Sequence, residues 1–273
     1  MNGQIKPYKV NVLRDLVVNR KLIGQLSKND FKTKFAGSYF GIFWAFVQPI
    51  VTVLVYWFVF QVAMPSLPVQ DVPYVLWLIG GLIPWFFFSD AWNGGTMAFV
   101  DYSYLVKKVV FNISIIPFVK VTSAWFTHLT FLIFMAVIYI VYGQYPDMYW
   151  LQIPYYSLAV FLYSLALSYI TSSILVFFKD LSQVLNIIMQ IGIWVTPILW
   201  NMETTNMPQI VKDILKLNPL YYIVNGFRDT LIYKKWFFED VNMTIYFWLI
   251  TLFLYKLGTW MFKKLRVHFA DVL

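Results

Sequence analysis

The chain contains no cysteine and few other residues typical of metal or catalytic sites. With no cysteine in 273 residues, it can form no disulfide and no thiolate metal site. Its two histidines, His128 and His268, lie far apart in the sequence, so we expect no metal site. The G-x-x-x-x-G-K-[ST] motif of P-loop nucleotide sites is also absent, as is any acidic pair at helical spacing that would suggest a membrane hydrolase. We therefore expect neither a catalytic site nor a cofactor in this chain.

Charged residues are scarce as well, and hydrophobic ones take their place. Only 12% of the residues are charged, against roughly a quarter in a soluble domain, while 60% are hydrophobic. About 20 consecutive apolar residues are needed to cross a bilayer. Six stretches reach that length, running from about Ser38 to Ala63, Pro73 to Val100, Ile115 to Tyr142, Ile153 to Phe178, Leu181 to Trp200 and Val241 to Phe262. The sequence predicts an all-α membrane protein with six transmembrane helices, built as one domain over residues 1–273.

The loops between these stretches predict the orientation. Residues 1–35 hold eight Lys or Arg, the loop from Asp101 to Ser114 holds two, and the tail 263–273 holds three, whereas loops 64–72 and 143–152 hold none. Because basic loops stay in the cytoplasm, both termini are expected there, in a multi-pass protein of the plasma membrane. The segment 201–240 falls outside with equal numbers of acidic and basic residues. Its apolar part, Pro219 to Ile232, is too short to span, which favours short re-entrant helices over an extracellular cap.

The N-terminal segment from Val12 to Phe35 has the pattern of an amphipathic helix. Its apolar residues share about half of the helical circle, and Arg14, Lys21, Lys28 and Lys32 form a separate basic stripe. Such a helix lies in the membrane interface and meets anionic headgroups, a better explanation of the basic charge than nucleic-acid binding. The alternative is that the charges only set the topology. The residues expected at the interface are Lys28, Phe31, Lys32, Lys34 and Phe35.

Other candidate functional residues lie in the second loop and inside the spans. The loop from Asp101 to Asn112 mixes apolar and basic residues and is long enough for two or three helical turns. It fits either a partner's groove or an interfacial turn on lipid. Asp90 and His128 lie inside apolar runs, where polar groups face the bundle interior and either contact substrate or pair with another helix. Lys120 is expected to extend its ammonium to water. Aromatic residues such as Trp85 and Phe88 either belong to interfacial belts or line a path for sugars.

Several stretches together resemble the ABC-2 family of transporter permeases, in particular its polysaccharide-export branch and the wall teichoic acid translocation permeases. The matching stretches run nearly end to end. They include Tyr56–Phe60, Trp85–Phe88, Ser114–Pro117, Val121–Ser123, Thr196–Trp200, Asn218–Tyr221, Arg228, Ile232–Tyr233 and Phe269–Leu273. Their order and spacing carry the resemblance more than any single stretch.

The resemblance implies a homodimeric permease working with two copies of a separate ABC ATPase, which would bind ATP and Mg²⁺. The substrate would be a wall teichoic acid on an undecaprenyl-diphosphate lipid, and the membrane would be bacterial. Alternatives are another lipid-linked polysaccharide, such as O-antigen or capsule, and a drug or ion exporter of the same fold. The Asp101–Asn112 loop would hold the coupling helix to the ATPase, formed by Tyr104, Leu105, Val106, Lys107, Lys108, Val109 and Phe111.

The resemblance also suggests a gate and a path. Residues 201–233 would form re-entrant helices at an extracellular gate, with Asn218, Pro219, Tyr221 and Arg228 as its residues. The candidate translocation path comprises Trp85, Phe88, Asp90 and His128, and the basic Lys28, Lys32 and Lys34 would gather the diphosphate. Two positions depart from the family pattern. Asn112 stands where proline is common, and Asn225 replaces a frequent Glu, which puts a gate ion pair with Arg228 in doubt.

Overall fold

The computed structural model describes residues 12–34, 36–63, 72–108, 112–202 and 205–273, and these are mostly helical. The α-helices of this part of the chain are α1 Val12–Val18, α2 Arg20–Thr33, α3 Trp44–Trp57, α4 Tyr74–Thr96, α5 Ala98–Asp101, α6 Ser103–Val106, α7 Ile116–Val141, α8 Ile153–Leu175, α9 Leu181–Val195, α10 Gln209–Lys216, α11 Pro219–Arg228, α12 Val241–Leu265 and α13 Phe269–Val272. A 3₁₀ turn at Gly41–Phe43 precedes α3, and a π-helical turn at Phe58–Ala63 extends it. The all-helical prediction is confirmed for these residues.

Five helical segments are long and apolar enough to cross a membrane. They are Gly41–Phe60, Tyr74–Thr96, Ile113–Val141, Met148–Leu175 and Val241–Val272. The fifth predicted span, Leu181 to Trp200, contains only the 15-residue helix α9. At 1.5 Å per residue α9 is about 22 Å long, short of the roughly 30 Å hydrocarbon core. The structure therefore shows five helices of spanning length and one shorter apolar helix among the described residues, and the predicted count of six is not confirmed.

The helix α4 lies at the centre, packed between α7 and α8 and also contacting α3, α9 and α11. Its side chains are buried nearly all round, including Leu76, Leu78 and Leu82. By contrast, α3, α7 and α12 each keep an exposed apolar face. A helix hydrophobic all round belongs in an interior, whereas an apolar face left exposed suits contact with lipid. The burial pattern therefore agrees with a membrane bundle in which α4 is the inner helix.

The crossing of α4 and α8 depends on a glycine. A Cβ atom added to Gly95 would overlap the side chain of Ser168, which is fully buried on α8. The neighbouring Gly94 has open space at the same position. Small residues of this kind allow membrane helices to approach closely.

Gly95→Ala is expected to lower the free energy of unfolding by about 1–3 kcal/mol, because the added methyl group forces α4 and α8 apart. Gly94→Ala is the matched control, and it should be neutral or slightly stabilising because alanine favours helix. Thermal unfolding of the purified protein in one detergent measures both. Equal unfolding temperatures for the two variants would contradict the close crossing.

The helices at the two ends of the chain lie at the same end of the bundle. The N-terminal α1 and α2 pack against the start of α7, and α13 packs beside α6, with the Phe269 ring 4.9 Å from that of Phe99. We call this end the terminal end. The helices α10 and α11 follow α9 in the chain. We call the end of the bundle at which they lie the opposite end.

The predicted amphipathic helix over Val12–Phe35 is present in two pieces, and part of its apolar side faces protein. It breaks at Asn19 between α1 and α2, while Phe35 lies outside the described residues. Ile23 packs on Ile115 and Val119 of the α7 segment, and Ser27 Oγ donates to the Val119 carbonyl at 3.1 Å. Part of the apolar side is therefore covered by the α7 segment, whereas Val17 stays exposed.

Candidate functional site

A charge cluster at the terminal end joins three separate segments of the chain. Lys120 of α7 places its Nζ 2.7 Å from Asp30 Oδ1 of α2 and 2.8 Å from Asp101 Oδ2 at the end of α5. Tyr102 Oη donates to the same Asp30 oxygen at 3.0 Å. Burial and the nearby Asp30 raise the pKa of Tyr102, so its hydroxyl remains a donor. One ammonium thus links α2, α7 and the loop that follows α4.

The position of Lys120 corrects the expectation that it extends to water. Its side chain is only 13% exposed and bonds two carboxylates instead. An ammonium removed from water needs such partners, since an unpaired buried charge is costly. Sequence reasoning did not predict this cluster, although a signal existed. Asp30 lies seven residues after Ile23 and three after Ser27, which places it on the buried face of α2.

The structure describes the predicted coupling segment only from Tyr104 to Lys108. The helix α6 has a single turn, Ser103–Val106, and Val109 and Phe111 lie outside the described residues. Val106 is buried and Leu105 partly buried against the core, whereas Tyr104 is 57% exposed. Lys107 and Lys108 are exposed as well. The surface available to a partner is therefore formed by Tyr104 and the two lysines rather than by Leu105.

Lys34 follows α2 and forms an ion pair with Asp90 of α4. Lys28 and Lys32 remain exposed on the outer side of α2, and Phe31 is partly buried. The predicted group of three headgroup-binding lysines is therefore divided, because Lys34 turns inward to Asp90. Of the two roles left open for Asp90, contact with substrate or pairing within the protein, the structure shows a pairing with Lys34.

Two cavities meet at this ion pair. An inner cavity of about 320 Å³ lies between α3, α4 and α7, and an outer one of about 580 Å³ opens beside α2 and the charge cluster. Lys34, Asp90, Asn93 and Ala124 line both. The ion pair thus stands between a charged vestibule at the terminal end and a cavity inside the helical bundle.

His128 lines the inner cavity from α7 and is almost fully buried. Its Nε2 lies 3.1 Å from Ser157 Oγ of α8, and its ring packs on Phe87 with 4.7 Å between centroids. Among the described residues, no group bonds its Nδ1. A buried polar atom without a partner costs about 1–3 kcal/mol. The atom itself is enclosed by protein and does not open onto the cavity that the ring borders.

The four predicted path residues do not line one path within this chain. Asp90 and His128 lie on the inner cavity, but Trp85 and Phe88 are buried on the other side of α4. Trp85 packs against Gly192 of α9, and Phe88 stacks on Tyr163 of α8 at 5.8 Å between centroids. Trp85, Phe88 and Asp90 are close in sequence but lie on different sides of α4, because successive residues of a helix point about 100° apart.

At the opposite end, Arg228 is buried in a shell of carbonyl groups. Its Nη1 donates to the Pro197 carbonyl at 2.8 Å and its Nη2 to the Ile198 carbonyl at 2.9 Å. The guanidinium carbon lies 3.3 Å from the centroid of the Trp77 ring, a cation–π contact. No carboxylate forms an ion pair with Arg228 within the described ranges of the chain.

The other predicted gate residues lie at the start of α11, at the other end of the helix from Arg228. Asn218 caps α11 by accepting from Leu220 N at 3.1 Å, and its Nδ2 donates to Thr196 Oγ1 at 2.7 Å. Pro219 follows as the first helical residue, where its missing N–H is harmless. Tyr221 and Arg228 line a cavity of about 450 Å³.

The residue that departs from the family pattern bonds elsewhere. Asn225 Nδ2 donates to Asp229 Oδ2 at 2.8 Å and does not form the gate pair with Arg228. Burial raises the pKa of Asp229 to about 6. Positions 225 and 228 therefore form no ion pair with each other. Backbone carbonyl groups bond Arg228 where a carboxylate at position 225 was in doubt. The second departure, Asn112, accepts from Ser114 N at 3.2 Å and starts the α7 segment.

Comparison with known proteins gives a family and two similar relatives. The family profile described as ABC-2 type transporter matches residues 21–232. An O-antigen export system permease protein RfbA of Klebsiella pneumoniae is 27% identical over 97% of this chain and 98% of its own length. A protein of the same description from Myxococcus xanthus is 27% identical over 96% of this chain and 99% of its own length. The matched region includes the charge cluster, the inner and outer cavities that meet at the Lys34–Asp90 pair, and Arg228.

Proposed function

This chain belongs to the ABC-2 type transporter family, and we propose that it is the membrane subunit of an ATP-driven exporter of a lipid-linked polysaccharide. The observation that carries the proposal is the similarity, over nearly the whole of both chains, to permeases named for O-antigen export. Two copies of the chain would assemble with two copies of an ABC ATPase that binds ATP and Mg²⁺. The carrier would be an undecaprenyl-diphosphate lipid.

The names of the relatives support a different class of polymer from the wall teichoic acid that the sequence led us to expect. The names of the matched relatives support O-antigen export, and none of them supports wall teichoic acid. We therefore favour an O-antigen-like polysaccharide. An exporter of drugs or ions has no supporting observation, since the matched relatives are named for polysaccharide export.

The charge cluster suggests how ATPase movement reaches the spans. In this proposal the terminal end faces the cytoplasm, where the ATPase contacts Tyr104, Lys107 and Lys108. Because Asp101 lies just before this segment and bonds Lys120, displacement of the segment pulls on α7 and, through Asp30, on α2. At the opposite end, α11 would act as a re-entrant gate helix held by Arg228.

The proposal is tested by co-expressing the chain with its cognate ATPase in a cell that lacks the native permease. We expect the two proteins to co-purify and to restore polysaccharide at the cell surface. Tyr104→Asp should weaken co-purification at least tenfold, since it places a carboxylate in a docking surface, which costs more than 1.4 kcal/mol.

Tyr145→Asp is the matched control, because Tyr145 is a tyrosine exposed to a similar degree in the loop between α7 and α8. It should bind the ATPase normally. Failure of the unmodified chain to bind any ABC ATPase would overturn the proposal. Restoration of a teichoic acid instead of an O-antigen-like polymer would overturn only the polymer class.

A further inference from the structure

The stretch Phe269–Leu273 has no role in the proposed function, although it lies beside the expected docking surface. Most of it forms α13, which a 3₁₀ turn over Arg266–His268 joins to the spanning helix α12. Phe269 is buried and Leu273, one helical turn later, is partly buried, whereas the three residues between them are exposed. The helix α13 packs against α6, the single turn that holds Tyr104. The tail therefore supports the segment at which a partner protein is expected.

Three phenylalanine rings join α5, α12 and α13, and we call them the phenylalanine cluster. The Phe99 ring of α5 lies 4.9 Å from the Phe269 ring and 5.5 Å from the Phe262 ring of α12, centroid to centroid. The centroids of Phe262 and Phe269 are 6.2 Å apart, which completes the triangle. All three side chains are 0% exposed. Aromatic rings at these separations attract one another in addition to burying apolar area.

The helix α5 is thus held by two contacts of different kinds. Asp101, two residues after Phe99, bonds Lys120 of α7, but the Asp101 side chain is 41% exposed. Water can replace a partly exposed ionic contact at little cost, whereas buried rings separate only by opening a cavity. When the segment that holds Tyr104 is displaced, the phenylalanine cluster is therefore the contact that yields less.

The other end of α12 contacts α11, the helix that carries Arg228. The fully buried Phe247 ring of α12 stacks on the Tyr222 ring of α11, with 4.9 Å between centroids and 25° between planes. Tyr222 Oη also lies 3.1 Å from Oγ1 of Thr244, one turn before Phe247. Between these contacts and the phenylalanine cluster, α12 is helical throughout and packs along α8. One continuous helix therefore joins the two ends of the bundle.

We propose that the phenylalanine cluster fixes the segment that holds Tyr104 to α12, so that a partner which displaces this segment moves α12 and, through Phe247 and Tyr222, α11. Phe269 is a positioning residue, because it is fully buried and acts on the docking segment from below. This inference rests on the proposed function, which supplies the ATPase as the partner. It adds a second route beside the one through Lys120.

The first test separates coupling from docking in the complex with the cognate ATPase, reconstituted in membrane vesicles. Phe269→Ala should lower the polysaccharide exported per ATP hydrolysed about tenfold, within the range usual for coupling between two sites. Co-purification and ATP hydrolysis should stay near normal, because the exposed Tyr104 is unchanged. Phe269→Leu refills much of the space and should recover most of the export. Phe178→Ala is the matched control, since Phe178 is 50% exposed after α8, and it should export normally.

The outcomes distinguish this inference from the proposed function. Normal export by Phe269→Ala would overturn the inference and leave the proposed function intact. A parallel loss of ATPase binding, hydrolysis and export would overturn it as well, because a purely structural role of Phe269 predicts that pattern. If the unmodified chain binds no ATPase, the proposed function itself fails.

A second test keeps all three rings in place and so does not depend on the folding of Phe269→Ala. Val100 of α5 and Val272 of α13 line one cavity of about 320 Å³ at the terminal end. Because the chain has no cysteine, Val100→Cys with Val272→Cys gives a single pair of thiols that a short bifunctional reagent can tie together. We expect the tied chain to export as much polysaccharide per ATP as the same double variant without reagent, since the two segments already move together. Loss of export on tying them would show that they must separate, and would overturn the proposal.

Discussion

Replacing Lys120 with Met is expected to abolish export and to lower the free energy of unfolding by about 3–5 kcal/mol, the usual cost of removing one partner of a buried ion pair. The substitution leaves Asp30, which is 7% exposed, with a negative charge and, among the described residues, Tyr102 as its remaining side-chain donor. The ammonium bonds α7 to carboxylates of both α2 and α5. Without it, movement of the segment that holds Tyr104 should be passed to α2 and α7 less effectively.

The measurements are polysaccharide export in cells and unfolding temperature of the purified complex. Lys256→Met is the matched control, because Lys256 lies in a spanning helix but its side chain is exposed. It should leave both quantities nearly unchanged.

A double-variant cycle isolates the Lys120–Asp30 pair. Asp30→Asn removes the buried charge that Lys120→Met leaves unpaired, so the double variant should be more stable than the sum of the two single effects predicts. Export should stay low in the double variant, because the link between the segments is still missing. Additive effects on stability would show that the two residues are not coupled and would contradict the role of the cluster.

Replacing Arg228 with Lys is expected to remove most export and to cost about 2–4 kcal/mol, even though the positive charge is kept. The guanidinium donates to the Pro197 and Ile198 carbonyls, and its carbon lies 3.3 Å from the centroid of the Trp77 ring. A lysine ammonium cannot reproduce a planar, bidentate contact, and each hydrogen bond from a charged group is worth about 1.5–3 kcal/mol. The Pro197 and Ile198 carbonyls would then lose their donors, and the segment between α9 and α11 would become less firmly held.

Arg20→Lys is the matched control, since Arg20 is exposed at the start of α2. Export and thermal unfolding are measured for both variants. If Arg228→Lys keeps normal export, position 228 needs only a positive charge, and the shell of carbonyl groups has no part in the gate.

Much of the fold followed from the sequence because its determinants are local. Long apolar runs must form helices in lipid, where backbone groups have no water to bond, so the five long spans could be located from composition alone. The cap of α11 is equally local, although it was not predicted. Asn218 and Pro219 act within one turn of their own positions.

The site residues were predicted less well because their roles depend on which helix faces which. Asp90 and His128 were singled out as polar residues inside apolar runs, yet nothing in the sequence placed them on one cavity while Trp85 and Phe88 face away. Lys120 was expected in water, since the sequence does not reveal that Asp30 and Asp101 meet it from segments far apart in the chain.

The sequence by itself determined that the chain is a helical membrane protein, where its spans lie, and which family it resembles, because hydrophobic length and residue order act along the chain. Only the tertiary structure decided the partners of its charges. Ion pairs form over a few ångströms in space, and the packing of α2, α4 and α7 brings together Lys34 with Asp90 and Lys120 with Asp30. The same packing sets the His128 ring against Phe87 and Ser157, which no spacing of residues could have shown.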